Sequence, residues 1–524
     1  MKRISTILSI LIIVLLLFGC VVGNGQETLP DATATSRAVL TITPLADVQV
    51  LPVSERPNIL VIMTDDLDVE LGTMDYLPHL QKLLVSQGLT VDDFYISMPL
   101  CCPSRSAFLR GQFAHNNGVY RNEQPYGGFE EFYKLQNESS TLATWLQAAG
   151  YRTALLGKYF NGYPFREDRT YIPVGWDEWY SSIKGSPVAG YKYTLNENGK
   201  EVDYEETGNG ESEYMTDVLA RKTVDIIERS AQDDAPFFIY LSTYAPHAPV
   251  QPASRHLALL PDLKLPRTPS FNEEDVSDKP ADIRSDPMLT EEEINKIDSK
   301  YRDRVLTMQA VDEMLVQVVD ALKATGQLDN TYILFTSDNG FHMGQHRRRE
   351  GKGGFYEEDI HVPLIIRGPG IEAGSTLQGY VTGNIDLAPT IAALAGVVPP
   401  EYVDGRSMAR LLGSNPPPVS EWRSAYLLEF YGYGNEEGGQ ADSQGSSVEP
   451  LLPVYLGLRT QNYLYVEHQD GFLELYDLRT DPYELENLAP QADQTLLAKL
   501  SALLKSLSQC VGEQCRSLDG SPIE

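Results

Sequence analysis

Cysteine is scarce in this chain, five in 524 residues, which excludes a small fold stapled by disulfides. Positive charge is scarce too. The 42 lysines and arginines face 73 aspartates and glutamates, and the formal net charge of −31 argues against a generic nucleic-acid binder. Any anionic substrate must be held by a local cluster of cations working against that field. No fixed-period repeat is visible, and the only long apolar run lies at the start of the chain. The remainder, 42% hydrophobic and 9% aromatic, has the composition of a globular protein long enough for one large domain and a smaller one.

The apolar run, residues 7–18, follows Lys2 and Arg3 and is too short for a membrane span, so it reads as an export signal. It ends in Leu17-Phe18-Gly19-Cys20, which resembles a bacterial lipobox despite the bulk of Phe18. That resemblance implies cleavage before Cys20 and membrane contact through a lipid anchor on its thiol. The protein would then sit at the bacterial cell envelope, lipid-anchored or secreted, with an ordinary secretory signal as the alternative. Residues 1–20 are assigned to this signal. Residues 21–55, rich in Thr, Ala, Pro and Asp, are assigned to a flexible tether.

The chain is organised around Cys101-Cys102-Pro103-Ser104-Arg105. A proline can open a helix but not continue one. A side chain in the first turn faces the positive end of the helix dipole, which favours an anion nearby. Arg105, one turn after Cys101, can reach back to the same spot with its fork of donors. On these residues alone, a pair of buried or disulfide-linked cysteines stays open as a reading.

Residues 58–63 form a continuous apolar run, the pattern of a strand buried on both faces, and lead into Thr64-Asp65-Asp66. That places Asp65 and Asp66 at the carboxyl end of a central strand, where open α/β sheets keep their sites. Residues 152–156 form another strand and deliver Lys158. Residues 236–241 form a third and run into Pro246-His247-Ala248-Pro249, where flanking prolines pin the histidine. Residues 332–335 repeat the pattern and end in Ser337-Asp338-Asn339-Gly340. Helices are predicted at 78–87, 141–149 and 214–229, and a capping box at Thr290 and Glu293 opens a long one through Lys323. Between them, residues 250–288 read as a long surface excursion or lid. Asp65, Asp66, Asp338 and Asn339 are oxygen donors suited to calcium, with magnesium as second choice.

Cys-x-Pro-Ser-Arg, together with the Asp-Asp before it and the Asp-Asn-Gly after it, resembles the signature of type I sulfatases. In that family the first cysteine of the motif is oxidised to formylglycine. Only Cys101 fits the frame, because Cys102 has Ser104 where the proline should stand. The resemblance runs from about Arg56 to the C-terminus. It implies an α/β, alkaline-phosphatase-like sandwich: a large mixed central sheet flanked by helices, plus a small C-terminal antiparallel subdomain. The catalytic domain is placed at 56–414 and the α+β subdomain at 415–524, with short strands at 425–431, 454–459, 463–468 and 472–477 and a closing helix at 496–507. Within the family the likeness is to N-acetylglucosamine-6-sulfatases and related heparan-type glycan sulfatases. It is carried by Cys101-Cys102, Gly157-Lys158-Tyr159-Phe160-Asn161, Asp338-Asn339-Gly340-Phe341-His342-Met343-Gly344-Gln345 and the tail around Cys510 and Cys515. Those last two cysteines are expected to pair, as export permits.

The resemblance further implies that hydrated formylglycine at Cys101 attacks sulfur with one hydroxyl and that the second hydroxyl then expels sulfate. A formylglycine-generating maturation enzyme is then a required partner, and a sulfated carbohydrate is the substrate. Cys101 would join Asp65, Asp66, Asp338 and Asn339 around the cation. Arg105, Lys158 and Lys352 would neutralise the sulfate oxygens, and His247 would bind sulfate or protonate the leaving oxygen. Many sulfatases place a histidine where Phe160 stands here, leaving Asn161 or His342 as the substitute. His115 has no such role and reads as structural. Arg347, Arg348 and Arg349 form the densest positive run and are assigned to gripping a second anionic group of the substrate, with a solvated turn as the alternative. Two rival functions stay open: a phosphoester hydrolase of the same fold, and a lipid-anchored glycan-binding protein without turnover.

Overall fold

The computed structural model describes residues 52–205, 213–432 and 454–523. The export signal, the lipobox with Cys20 and nearly all of the tether lie outside the described residues. Among the described residues no helix is long and apolar enough to cross a membrane.

The strands of the main sheet, in chain order, are β1 (Asn58–Thr64), β2 (Leu89–Val91), β3 (Arg152–Gly157), β4 (Glu178–Ser186), β5 (Tyr191–Glu197), β6 (Lys200–Tyr204), β7 (Phe237–Ser242), β8 (Thr331–Ser337), β9 (Leu364–Arg367) and β10 (Ser375–Leu377). They lie side by side as β10-β2-β9-β8-β1-β7-β3-β4-β5-β6. The centre, from β8 to β4, is parallel, while β9 on one side is antiparallel to β8 and, on the other, β4, β5 and β6 pair with one another as an antiparallel meander. The sheet is therefore mixed, as the sulfatase resemblance implies. Every residue of β1 is buried, which explains its unbroken apolar sequence.

Alternate residues of β1 serve opposite cores. Ile59, Val61 and Met63 pack on one face with Phe108 and Leu109 of α1 (Cys101–Arg110). Leu60 and Ile62 pack on the other with residues of α2 (Met215–Ser230) and with Met308, Val311 and Leu315 of α3 (Glu291–Ala324). The capping box opening α3 is present: the Glu293 backbone N–H donates to the Thr290 hydroxyl at 3.3 Å, and Glu293 Oε2 accepts the Thr290 N–H at 2.8 Å. The predicted helix at 78–87 is shorter, Pro78–Leu83, and its remainder is a 3₁₀ turn, Val85–Gln87.

The excursion at 250–288 holds little regular structure, yet it is fastened to α3. Arg267 grips both oxygens of Asp298 at 2.8 Å, and Arg255 bridges Asp217 and Glu313. A short helix α4 (Glu357–Ile360) precedes β9. The C-terminal sheet is a meander of β11 (Ala425–Phe430), β12 (Tyr455–Thr460), β13 (Tyr463–His468) and β14 (Leu473–Asp477), covered by α5 (Gln494–Leu507). Its core includes Phe113, Ala114, Tyr356 and Ile360, so it is built partly on the segments that follow α1 and that form α4. Cys510 and Cys515 form the expected disulfide, with Cα atoms 5.0 Å apart.

Candidate active site

The adjacent carboxyl ends of β3, β7, β1 and β8 converge on one spot. Register fixes this: Thr64 lies opposite Ser337, and Ser242 lies opposite both Met63 and Gly157. Gly157 has φ +97, and a Cβ there would come within 1.9 Å of the Ser242 carbonyl oxygen. Only glycine lets β3 deliver Lys158 so close to β7.

Asp65, Asp66, Asp338 and Asn339 are brought together as expected, all at most 1% exposed. Asp66 adopts a left-handed conformation, φ 71, and its N–H donates to Asp338 Oδ1 at 3.1 Å. Asn339 Nδ2 donates to Asp66 Oδ1 at 2.7 Å, while Asn339 Oδ1 is buried without a hydrogen-bond partner. Asp65, Asp66, Cys101 and His247 each offer a ligand atom within 4.8 Å of the others. Clustered carboxylates and an unpartnered amide oxygen make a donor set that fits a hard cation.

Cys101 opens α1 and is fully buried. Its thiol lies 3.5 Å from Asp65 Oδ1, and Lys352 Nζ donates to its sulfur at 2.8 Å. Lys352 also contacts Asp66, and Lys158 Nζ donates to Asp65 Oδ2 at 2.5 Å. Burial pushes the Cys101 thiol far above its ordinary range, and the nearby lysines only partly offset this. Burial likewise drives Asp65 and Asp66 upward, but the lysines and His247 outweigh it and both end below the usual carboxylate range. Asp338 goes the other way, raised by burial and by the charge of Asp65 against the pull of Arg105. Arg105 directs Nε and Nη2 to Asp338 Oδ2, both at 2.9 Å, and Nη1 to Ser242, Tyr240 and the Lys158 carbonyl.

Cys102 faces away. Its N–H donates to Asn122 Oδ1 at 2.9 Å and its sulfur accepts the Asn161 N–H at 3.2 Å. His247, with a side chain 31% exposed, stands 3.8 Å from Asp66 Oδ2. It lines a cleft of about 330 Å³ with Asp65, Lys158, Asn161 and Tyr244. Phe160 packs on Phe132 with ring centroids 4.5 Å apart. His342 is held by Asp359 at 2.7 Å, and burial with the nearby Arg348 lowers its pKa. His115 bridges Glu429, at 2.8 Å, and the Cys510 carbonyl, at 2.9 Å, a structural position as expected.

The structure sends the three arginines in different directions. Arg347 donates to the carbonyls of Glu273, Glu274 and Asp286, Arg348 to Asp359, and Arg349 to Glu293. Each of the three guanidiniums thus has protein partners of its own. Sequence reasoning missed Arg304, which is 1% exposed and donates to the Asp66 and Pro246 carbonyls. Its signal was present: Arg304 sits on the apolar stripe of α3, between Tyr301 and Met308.

The sequence model of the family described as Sulfatase matches residues 57–397, and that described as N-sulphoglucosamine sulphohydrolase, C-terminal, matches residues 346–510. The chain is 34% identical over 487 residues to the N-acetylglucosamine-6-sulfatase of Homo sapiens, covering 88% of this chain and 86% of that protein. It is 28% identical over 510 residues to the N-acetylglucosamine-6-O-sulfatase of Bacteroides thetaiotaomicron, covering 84% of each. One solved structure, of a protein in complex with its substrate D-glucosamine-2-N,6-O-disulfate, superposes with a TM-score of 0.71 at 26% identity. The match covers 89% of this chain and 99% of that one.

Proposed function

This chain belongs to the sulfatase family, and on that premise we propose that it hydrolyses sulfate esters of glycans, with 6-O-sulfated N-acetylglucosamine units as the substrate. The observation that carries this reading is the setting of Cys101, in the first turn of a helix and ringed by Lys158, Lys352 and paired acids. Converted to formylglycine by a maturation enzyme, Cys101 supplies a hydrated aldehyde. Asp65, Asp66, Asp338, Asn339 and that residue would hold a calcium ion (magnesium second), which would supply the charge favouring the ionised hydrate.

The other side chains divide the remaining work. Lys158 and Lys352 neutralise the sulfate oxygens as charge shifts onto the departing group. His247, the partly exposed member at the cleft, protonates the leaving oxygen, so the sugar departs as a neutral alcohol. Arg105 holds Asp338 against the strand ends and acts as a positioning residue. Asn161 lines the same cleft and takes the place of the family histidine, with His342 as the further candidate through its bond to Asp359. Of the arginine run, Arg349, 47% exposed, contacts a second anionic group of the glycan, while Arg347 and Arg348 hold the loop through their bonds to carbonyls and Asp359. Residues 56–414 carry the chemistry and 415–524 the supporting module, while Cys20 anchors the tethered enzyme at the cell envelope.

Mass spectrometry of the Cys101 peptide, paired with a panel of sulfated sugars, tests the reading. A formylglycine mass together with sulfate release from 6-O-sulfated N-acetylglucosamine is the expected result. An intact thiol with glycan binding alone would make the protein a binder. Preferential turnover of a phosphate monoester would make it a phosphoester hydrolase.

A further inference from the structure

His346, Glu358 and Glu484 meet in the interior at a point apart from the cleft. Each is buried, 1%, 5% and 1% exposed, and each brings one atom without a hydrogen-bond partner: His346 Nε2, Glu358 Oε2 and Glu484 Oε1. The three residues offer ligand atoms within 4.8 Å of one another. They come from distant parts of the chain: the arginine-rich loop, α4 and the loop after β14.

The far side of each group is already fixed. His346 Nδ1 meets Glu273 at 2.7 Å, and its ring stacks on Tyr356 with centroids 4.0 Å apart. Ser270 donates to Glu358 Oε1 at 3.2 Å, and the Glu357 N–H donates to Glu484 Oε2 at 3.3 Å. What is left over on each residue is one buried atom with no hydrogen-bond partner. Neighbouring cations are committed elsewhere: Lys279 to Glu273 and Asp278, Arg348 to Asp359, and Arg459 to Glu357. Two buried carboxylates without a counter-charge are costly, and a coordinated cation removes that cost.

A second cluster shows what a non-binding arrangement looks like. Glu70, Glu357 and His361 also lie within reach of one another. There, however, His361 Nδ1 meets Glu70 at 2.8 Å and Nε2 meets the Asp92 carbonyl at 2.6 Å. The Asp92 carbonyl accepts the Nε2–H and the Glu70 carboxylate accepts the Nδ1–H, so that ring carries both protons as a cation and has no lone pair for a metal. His346 Nε2 has neither partner.

We propose that His346, Glu358 and Glu484 bind a second divalent cation, and that this ion clamps the C-terminal module to the loops beside the active site. One imidazole with two carboxylates suits zinc, with manganese next. Tetrahedral bonds of about 2.1 Å place ligands roughly 3.4 Å apart, so atoms that lie within 4.8 Å of one another close the set by side-chain rotation.

The test uses full-length Asp338→Asn protein, in which the cation site of the cleft is impaired, stripped with EDTA and then titrated with Zn²⁺ or Mn²⁺. Binding of about one ion per chain and a rise of a few degrees in melting temperature are expected. Adding Glu358→Gln and Glu484→Gln, which preserve shape, should abolish both. Metal analysis of the wild type should show a transition metal that the same two substitutions remove, with calcium retained. A stripped protein that melts identically with and without either ion overturns the proposal, even if the multiple variant does not fold. So does a Glu358→Gln/Glu484→Gln protein that still takes up zinc. The rival outcome, a proton shared between the two carboxyls, shows itself as zinc indifference with undiminished stability of the glutamine variants.

Discussion

Arg304 donates from Nη2 to the backbone carbonyl of Asp66 and from Nη1, at 3.2 Å, to that of Pro246. One buried guanidinium, lying 4.4 Å from the Phe341 ring, therefore ties the left-handed turn at Asp66 to the loop that carries His247. Arg304→Lys keeps the charge but cannot span both carbonyls from a single planar head. Displacement of reacting groups by about 1 Å can cost roughly 100-fold, and a loss of that order in kcat is expected with little change in KM. A variant that releases sulfate within twofold of the wild-type rate would remove Arg304 from the positioning machinery.

Cys101→Ala should abolish sulfate release while leaving the melting curve in place. Cys102→Ala loses the contacts of its sulfur with Asn122 and Asn161 and some packing in the core, on the order of 1–2 kcal/mol of stability, and should keep substantial activity. The reverse pattern would move the modified position by one residue.

Asp338→Asn should lower calcium content and turnover together, the latter by roughly 100- to 1,000-fold. Arg105 is then left with a weaker partner, so a drop in stability is expected as well. Exhaustive chelation of the wild type should reproduce the loss of activity, and undiminished turnover after chelation would rule out the cation.

His115 gives a pH prediction at a distance from the cleft. Burial lowers its pKa, but Glu429 more than compensates and holds it at about 9, against an ordinary value of 6.5. The folded state thus binds the proton more tightly than the unfolded state. The stabilisation is full below pH 6.5 and is lost as pH rises through about 9. Melting temperatures of His115→Gln and wild type should therefore differ most at pH 6 and converge above pH 9.5. A gap that stays constant over this range would show the imidazole to be uncharged in the native state.

The arginine-rich loop can be divided by single substitutions. Arg349→Ala should raise KM for a polyanionic oligosaccharide several-fold and leave a small aryl sulfate almost untouched. Arg347→Ala removes donors from the Glu273, Glu274 and Asp286 carbonyls and should lower stability and both activities together. Equal losses on both substrates for Arg349→Ala would assign the whole loop to structural support.

The parts of the site legible in the sequence were those tied to strand ends. An unbroken apolar run announces a fully buried strand, and the acids following β1 and β8 inherit their position from it. The β4-β5-β6 meander escaped notice because Ser181, Ser182, Lys184 and Gly185 interrupt the apolar pattern of β4. Arg304 escaped because a charge inside a helix reads as solvated until its register on the apolar stripe is compared with its neighbours. The direction in which Arg105 points depends on Ser242 and Tyr240, more than 130 residues away, and no local pattern encodes it. The meeting of His346, Glu358 and Glu484 is of the same kind: three unremarkable residues until the C-terminal module is in place.

Burial of Cys101 also sets a clock. The lysine that covers its sulfur, Lys352, lies 251 residues downstream. At roughly 5–20 residues per second, a ribosome needs on the order of 13 to 50 s to make that stretch. Throughout that interval the Cys101 side chain lacks part of its enclosure and can be reached by another protein. Once the chain is complete and folded, the same thiol is 0% exposed. Chemistry done to it by a second enzyme therefore has to come before the chain has folded.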